Sequence, residues 1–351
     1  MAIITVLGSG IMASALSIPL TDNNHEVRLV GTHLDREIID SIQDSGVHPN
    51  LELELPSSVQ AFQLEELEQV IDDAEVVMSG VNSFGVEWAA EQLAPLLKPG
   101  QIVLSIAKGM GVTDEGDLRI LPDVLADPVP EDAKDQLSWT AVVGPSIAGE
   151  VAVRRDTCVI FSGADQQALD RLAELFRTDR YHAWTSTDFI GTEVCAAMKN
   201  CYALGVGIAT GVLETLEDAD SQYRNHNFEA ALFAQGAIEI EQMAKLVGSE
   251  ATPHVLPSVG DMYVTSMGGR NVRVGRLLGT GMGFSQAEEE LGHPTLEGAA
   301  AIGVVGAALE KLTERGVVEA EDYPLLRHLY QVVELEQPLD IPWSSFYGGE
   351  R

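Results

Sequence analysis

Apolar runs bounded by glycine and proline open the chain, and long helical periods close it. Ile3-Ile4-Thr5-Val6-Leu7 is a β-branched run that passes through Gly8-Ser9-Gly10 into a second apolar stretch beginning at Ile11. Short continuous runs of this kind predict strands covered on both faces. The same reading places strands at 26–30, 75–81, 102–106, 139–143 and 157–162, with a helix at 87–97 closed by Pro99-Gly100. Strands alternating with helices predict an α/β domain around a doubly wound parallel sheet. Pro19 is expected to kink the first helix or end it early, because its ring removes a donor and crowds the preceding turn. Segments 114–117 and 127–135, rich in Asp and Pro, read as surface loops without chemistry of their own.

From about Asp188 the period becomes that of amphipathic helices, at 192–216, 227–247, 294–315 and 323–334. No solenoid-type repeat is visible. Two domains follow: residues 1–188, a Rossmann-type dinucleotide-binding domain, and residues 189–351, an all-α domain that carries the substrate and the chemistry.

The turn after the first strand supplies the first functional signal. Strand, glycine turn and helix in that order form the dinucleotide fingerprint, with Ala13 in its third small position. Gly8 permits the tight turn, and Gly10 lets the backbone approach a pyrophosphate at the helix N-terminus. An acid at the end of the second strand would bond the ribose hydroxyls of NAD. Here that position reads Gly31-Thr32-His33, with Asp35-Arg36 just beyond. The choice leans to NADP over NAD, although Asp35 remains within reach of a ribose. Further strand ends deliver Asn82-Ser83, Lys108-Gly109 and Gly144-Pro145-Ser146, where open sheets of this class bind their ligands.

Lys199 is the second signal. It interrupts 192–212, a stretch otherwise made almost entirely of small and apolar residues, in a chain whose other lysines are Lys98, Lys108, Lys134, Lys245 and Lys311. A lysine in a core helix suits proton transfer, because burial disfavours its charged form. The alternative is a lysine snorkelling from a helix end. Farther on, Gly268-Gly269-Arg270-Asn271 offers a guanidinium fork and an amide for an anion, and Asp261 is a candidate partner for Lys199.

Composition narrows the partners. With 54 Asp+Glu against 21 Lys+Arg, the net charge is -33. That charge repels nucleic acid and anionic membrane. Cys158, Cys195 and Cys201 lack paired spacing, so neither a disulfide framework nor a metal site is indicated. No apolar run has the length of a membrane span, and no secretory leader pattern is present, so a cytoplasmic protein is expected.

The ordered set of motifs resembles the NAD(P)-dependent glycerol-3-phosphate dehydrogenase family over nearly the whole length. It comprises the glycine fingerprint, Lys108-Gly109, Gly144-Pro145-Ser146-x-Ala148-x-Glu150-Val151, Asp188-x-Ile190-Gly191-x-Glu193, Lys199-Asn200, Gly260-Asp261, Arg270-Asn271 and Glu297-Gly298. Ile11-Met12 and Asn225-His226-Asn227 depart from the usual pattern. The resemblance implies a 6-phosphogluconate dehydrogenase-like fold and interconversion of dihydroxyacetone phosphate and sn-glycerol 3-phosphate with NAD(P)H. It implies Lys199 as general acid/base, oriented by Asp261. Arg270 and Asn271 would hold the substrate phosphate, with Lys108, Gly144 and Ser146 lining the pocket. Gly8, Gly10, Ile11, Met12, Thr32, His33, Lys108, Ala148, Arg270 and Glu297 would contact the cofactor. A homodimer through the helical domain is expected. The rival readings are a reductase of a carboxylated substrate, of the 2-ketopantoate or 3-hydroxyacid type, and a non-catalytic NADPH-binding regulator.

The acidic composition also suits a protein adapted to molar salt, where self-repulsion is screened; an acidic protein of ordinary salinity is the alternative. On the first reading, Tm rises as KCl goes from dilute to molar. A melting temperature that stays flat or falls across that range refutes it.

Overall fold

The computed structural model describes residues 1–216, 223–249 and 254–348. The chain divides into two compact units, Met1–Lys108 with Leu121–Thr192, and Gly109–Ile120 with Glu193–Arg351.

The first unit is built on eight strands: β1 (Ile3–Leu7), β2 (Glu26–Val30), β3 (Val59–Phe62), β4 (Val76–Ser79), β5 (Ile102–Ser105), β6 (Ser138–Val143), β7 (Thr157–Gly163) and β8 (Tyr181–Ser186). They lie in the order β8-β7-β6-β5-β4-β1-β2-β3. All neighbours are parallel except β6 and β7. After β1 the chain fills one side of it with β2 and β3, then crosses to β4 on the other side. That switch point is where open α/β sheets form their ligand crevice. Successive residues of the central strands serve opposite faces. Ile4, Val6, Val76 and Met78 join a core with helix α1 (Ile11–Asp22), while Leu7, Val77 and Val103 pack with helix α3 (Val86–Leu93). Helix α2 (Arg36–Ser45) follows β2, and helix α4 (Gln166–Phe176) adds Leu169 and Phe176 to the first of these cores.

Pro19 does not end helix α1 early, because the helix runs through it to Asp22. Pro19 removes only the N–H that would reach Ala15. Residues Ala13 to Leu20 are all buried, and the Asn23 N–H still closes on the Pro19 carbonyl at 3.3 Å. Packing of the whole helix outweighs the lost bond. Strands β3 and β8 lie at the two sheet edges and carry no continuous apolar run, so the sequence pattern did not reveal them.

The second unit is helical: α5 (Phe189–Glu214), α6 (His226–Val247), α7 (Asp261–Ser266), α8 (Arg270–Gly279), α9 (Glu297–Glu314) and α10 (Pro324–Val333). The loop expected at 114–117 is the turn of a hairpin, Met110–Val112 with Leu118–Ile120. Arg315 ties its tip to the helical unit by bonding Asp117 Oδ1 at 2.7 Å. Segment 127–135 holds a short helix, Glu131–Lys134.

Helix α5 is the axis of this unit, buried from Val194 to Ala209. Its neighbours approach it where glycine leaves room. Any Cβ on Gly211 would collide with the Arg276 carbonyl, and one on Gly275 with the Leu204 carbonyl. Gly207 and Gly279 make the same kind of backbone-to-backbone approach, so α5 and α8 touch main chain to main chain. A Cβ on Gly236 of α6 would meet Tyr202 at 2.7 Å, and one on Gly298 of α9 would meet the Asn200 carbonyl at 2.6 Å.

A buried carboxylate ties the same helices together. Glu239 on α6 accepts from Tyr202 Oη of α5 at 2.9 Å, from Gln235 Nε2 at 2.7 Å, and from the Leu325 and Leu326 N–H groups at 2.8 and 2.9 Å. It thereby caps α10 from a different helix. Burial pushes its carboxyl upward, and the four donors pull against burial.

Gly275→Ala should cost about 3 kcal/mol or more in urea unfolding, at the upper end of overpacking penalties, because the obstacle is backbone and cannot change rotamer. Gly149→Ala is the control. Its Cβ meets nothing within 4 Å and its helical setting favours alanine, so stability should stay the same or rise by up to about 1 kcal/mol.

Candidate active site

The glycine turn of the first unit is shaped by contacts between backbones. Gly8 has φ +111°, and a Cβ there would meet the Gly80 carbonyl group at 2.9 Å. A Cβ on Gly80 would meet Ala13 Cβ at 2.7 Å, so the third fingerprint position also has to be small. Gly10 differs from both. The nearest atom to a Cβ there is 4.0 Å away, and the space in front of the turn is open. Gly10 caps α1 with no side-chain hydrogen bond, and no acid stands in the first helical turn. An uncapped N-terminus next to open space fits the pyrophosphate of a dinucleotide.

The expected cofactor residues of this unit gather around that turn. Ile11 and Met12 form the first turn of α1, and Ile11 is exposed. Ser146 Oγ lies 3.9 Å from Met12 Sδ. Lys108 Nζ donates to the Gly144 carbonyl at 3.3 Å, and Gly144 holds φ +123°. Ala148 opens the short helix Ala148–Ala152. Beyond β2, Thr32 donates to Asp35 Oδ2 through both its N–H (2.9 Å) and its hydroxyl (2.8 Å), and the Ser9 N–H reaches the same oxygen at 3.2 Å. His33 sets its ring edge-on to Trp88 at 5.0 Å, and Arg36 pairs with Glu65. Phe84 stands exposed just past β4, with its N–H donated to Asn82 Oδ1.

The second unit holds Lys199 in the middle of α5 and only 7% exposed, which removes the snorkelling alternative. Its Nζ donates to Asp261 Oδ1 and to Thr265 Oγ1, both at 2.7 Å. Asp261 is buried at the start of α7, and Thr265 lies one helical turn on, so both side chains share a face. The Thr265 hydroxyl donates to the Asp261 carbonyl at 2.7 Å, which leaves its oxygen oriented to accept from Lys199. Thr265 went unnoticed in the sequence, where only its i+4 spacing from Asp261 marks it. A single π-helical turn, Leu256–Gly260, leads into Asp261. Such turns recur at functional sites.

Arg270 and Asn271 form the first turn of α8, with Arg270 exposed behind Gly269 at φ +108°. A guanidinium on a helix N-terminus is a strong anion site. Asn271 divides its amide. Its Oδ1 accepts the Gly298 N–H at 3.2 Å, which joins α8 to the start of α9, where Glu297 is the first residue. The amide N–H2 is the half of Asn271 suited to an anion. No group of His, Cys, Asp and Glu among the described residues has the geometry of a metal site.

Two family models match the chain. They describe the N-terminus of NAD-dependent glycerol-3-phosphate dehydrogenase, over residues 3–169, and its C-terminus, over residues 188–342. A relative from Archaeoglobus fulgidus, an NADP(+)-dependent glycerol-3-phosphate dehydrogenase, is 35% identical over 82% of this chain and 83% of its own. Among solved structures, glycerol-3-phosphate dehydrogenase from Plasmodium falciparum superposes with a TM-score of 0.84 at 20% identity, covering 100% of this chain and 96% of that one. A ketopantoate reductase from Ralstonia eutropha shares the fold more distantly, with a TM-score of 0.53 at 16% identity over 95% and 97% of the two chains.

The two glycines of the turn should separate in mutagenesis. Gly10→Ala leaves the unliganded fold almost untouched, at a cost below about 1 kcal/mol for the altered cap, yet weakens NADPH binding by filling the approach to the helix end. Gly8→Ala meets backbone at 2.9 Å with an unfavourable φ, and should lower Tm before any ligand is added. Equal effects of the two on Tm would contradict this geometry.

Proposed function

The chain belongs to the NAD-dependent glycerol-3-phosphate dehydrogenase family, and on that premise we propose how its residues divide the work. It is an oxidoreductase that uses NAD or NADP. The reaction is the interconversion of dihydroxyacetone phosphate and sn-glycerol 3-phosphate. The observation that carries this reading is the buried lysine held at 2.7 Å by both Asp261 and Thr265.

Bound NAD(P)H supplies the hydride for C2, and the oxidised cofactor accepts it in reverse. Lys199 gives a proton to the C2 oxygen as the ketone is reduced, and takes one as the alcohol is oxidised. Asp261 offsets the cost of burying an ammonium, and Thr265 fixes the direction of Nζ. Arg270 and the amide N–H2 of Asn271 bind the substrate phosphate at the head of α8, with Lys108, Gly144 and Ser146 as further substrate contacts. The dinucleotide is assigned to Gly8, Gly10, Ile11, Met12, Thr32, His33, Lys108, Ala148, Arg270 and Glu297.

NADP is the preferred form in this reading. Asp35 Oδ2 already accepts from Thr32 and Ser9, so that oxygen is committed to the protein and not to a ribose. The Archaeoglobus relative is named as NADP-dependent. The reading extends to a homodimer through the helical unit and to a cytoplasmic setting. Three cysteines outside any disulfide suit a reducing compartment. No helix among the described residues is long and apolar enough to cross a membrane.

One panel of variants tests the roles. Lys199→Met should lower kcat by at least about 100-fold, the usual scale for a lost general acid, with NADPH affinity unchanged. Arg270→Ala should impair reduction of dihydroxyacetone phosphate in both KM and kcat, while its effect on unphosphorylated dihydroxyacetone nearly vanishes. Arg270→Lys restores charge without the fork and should recover only part of the loss. Equal losses on the two ketones would remove Arg270 from phosphate recognition, and a folded Lys199→Met with most of its kcat would remove Lys199 from the chemistry.

A further inference from the structure

The glycine turn is also held from inside the fold, by a residue that neither the chemistry nor the fingerprint calls for. His48 is completely buried at the end of the two-residue strand Val47–His48 that follows α2. Its Nε2 lies 2.9 Å from the carbonyl oxygen of Ser9, the middle residue of the turn. Its Nδ1 receives the Leu51 N–H at 3.2 Å. A main-chain N–H can only donate, so Nδ1 is the bare nitrogen and Nε2 carries the hydrogen. The ring therefore donates to Ser9, and the Leu51 bond selects the tautomer that does so.

Two other groups engage the same residue. Ser14 Oγ donates to the Ser9 carbonyl at 3.3 Å, and Asp35 accepts the Ser9 N–H at 3.2 Å. The buried Ser9 hydroxyl makes no hydrogen bond, so this residue is anchored through its backbone alone. The consequence lies one atom further along the chain. The peptide joining Ser9 to Gly10 is planar and trans, so its carbonyl and its N–H point in opposite directions. With the carbonyl drawn inward to His48, the Gly10 N–H is turned away from the core, on the residue that faces open space.

We propose that His48 is a positioning residue for the dinucleotide, holding the Ser9 carbonyl so that the Gly10 N–H is presented to the cofactor phosphates. The inference rests on the assignment of the dinucleotide to this turn. It concerns binding rather than chemistry, so the mark of His48 falls on cofactor affinity and not on turnover at saturation.

The test uses two variants that each keep half of the ring's bonding. Gln places an amide N–H2 where Nε2 stood and can still reach Ser9. Asn places an oxygen where Nδ1 stood, serves Leu51, and falls short of Ser9. NADPH affinity is read directly from the fluorescence of the bound reduced nicotinamide, with Tm of the unliganded protein measured alongside. His48→Asn is expected to raise the Kd for NADPH about tenfold, the equivalent of about 1.4 kcal/mol and of one hydrogen bond. His48→Gln should stay within about threefold of the parent. For both, kcat at saturating NADPH and KM for dihydroxyacetone phosphate should be unchanged. The proposal is overturned if His48→Asn binds NADPH like the parent, or if both variants lose affinity equally in step with a fall in Tm, since a packing role alone would do that. Gly10→Ala separates the underlying assignment. If it binds NADPH as the parent does, the dinucleotide does not sit on this turn and the role of His48 falls with it. If Gly10→Ala is weakened while His48→Asn is not, only the role of His48 is lost.

Discussion

The backbone contact between α5 and α8 is the constraint on which the helical unit depends. Helices separated by ordinary side chains lie about 8–10 Å apart. Here four glycines, Gly207 and Gly211 on one helix and Gly275 and Gly279 on the other, remove that layer. The contact fixes both the distance and the register of the two helices, because each glycine has a carbonyl of the partner directly over it. Lys199 lies on one member of the pair and Arg270 opens the other. Lys199 and Arg270 are thus held on two rods joined along their backbones, with no flexible side chain to absorb an error.

The same economy governs the first unit at smaller scale. Gly8, Gly80 and Ala13 close on one another where β1, β4 and α1 meet, and the turn between them has little freedom left. What freedom remains is taken by hydrogen bonds to Ser9. Each unit therefore removes side chains where main chains must meet, and keeps polar side chains for directions that matter. Thr265 sets the direction of Nζ, and Asn271 joins two helix starts while keeping its amino group for other use.

Much of this was legible in the amino-acid sequence, and the limits have physical causes. The strands buried on both faces announce themselves because continuous β-branched runs have no other home. Lys199 was visible as the one basic residue in a largely apolar helix, and Asp261 as an acid in a glycine-rich stretch. Thr265 and His48 were not visible, since a hydroxyl or an imidazole acquires its meaning only from the group it faces. Edge strands such as β8 hide for a related reason: Tyr181-His182-Ala183-Trp184 is short, half exposed and without a continuous apolar run. Pro19 misled in the opposite direction, because a local rule about one donor was outweighed by the packing of eight consecutive buried residues. The hairpin around the 114–117 loop gave no sign of itself, because its ties are to Arg315, some two hundred residues away.

Glu239 has an implication for the order in which the chain is made. Its carboxylate is satisfied by groups from α5, from its own helix and from the start of α10, and Gln235 beside it accepts the Tyr347 N–H at 3.0 Å. A growing polypeptide that has released α5 and α6 but not residues 325 and 326 would have to bury this acid with half its donors missing, at a cost of several kcal/mol. The first unit takes no residue beyond Thr192, so all of it has left the ribosome before residues 325 and 326 do. The helical unit must wait for almost the last residues to emerge. Until then the lysine helix stays unassembled, and the helical unit closes around Lys199 only as one of the final events of the chain's own synthesis.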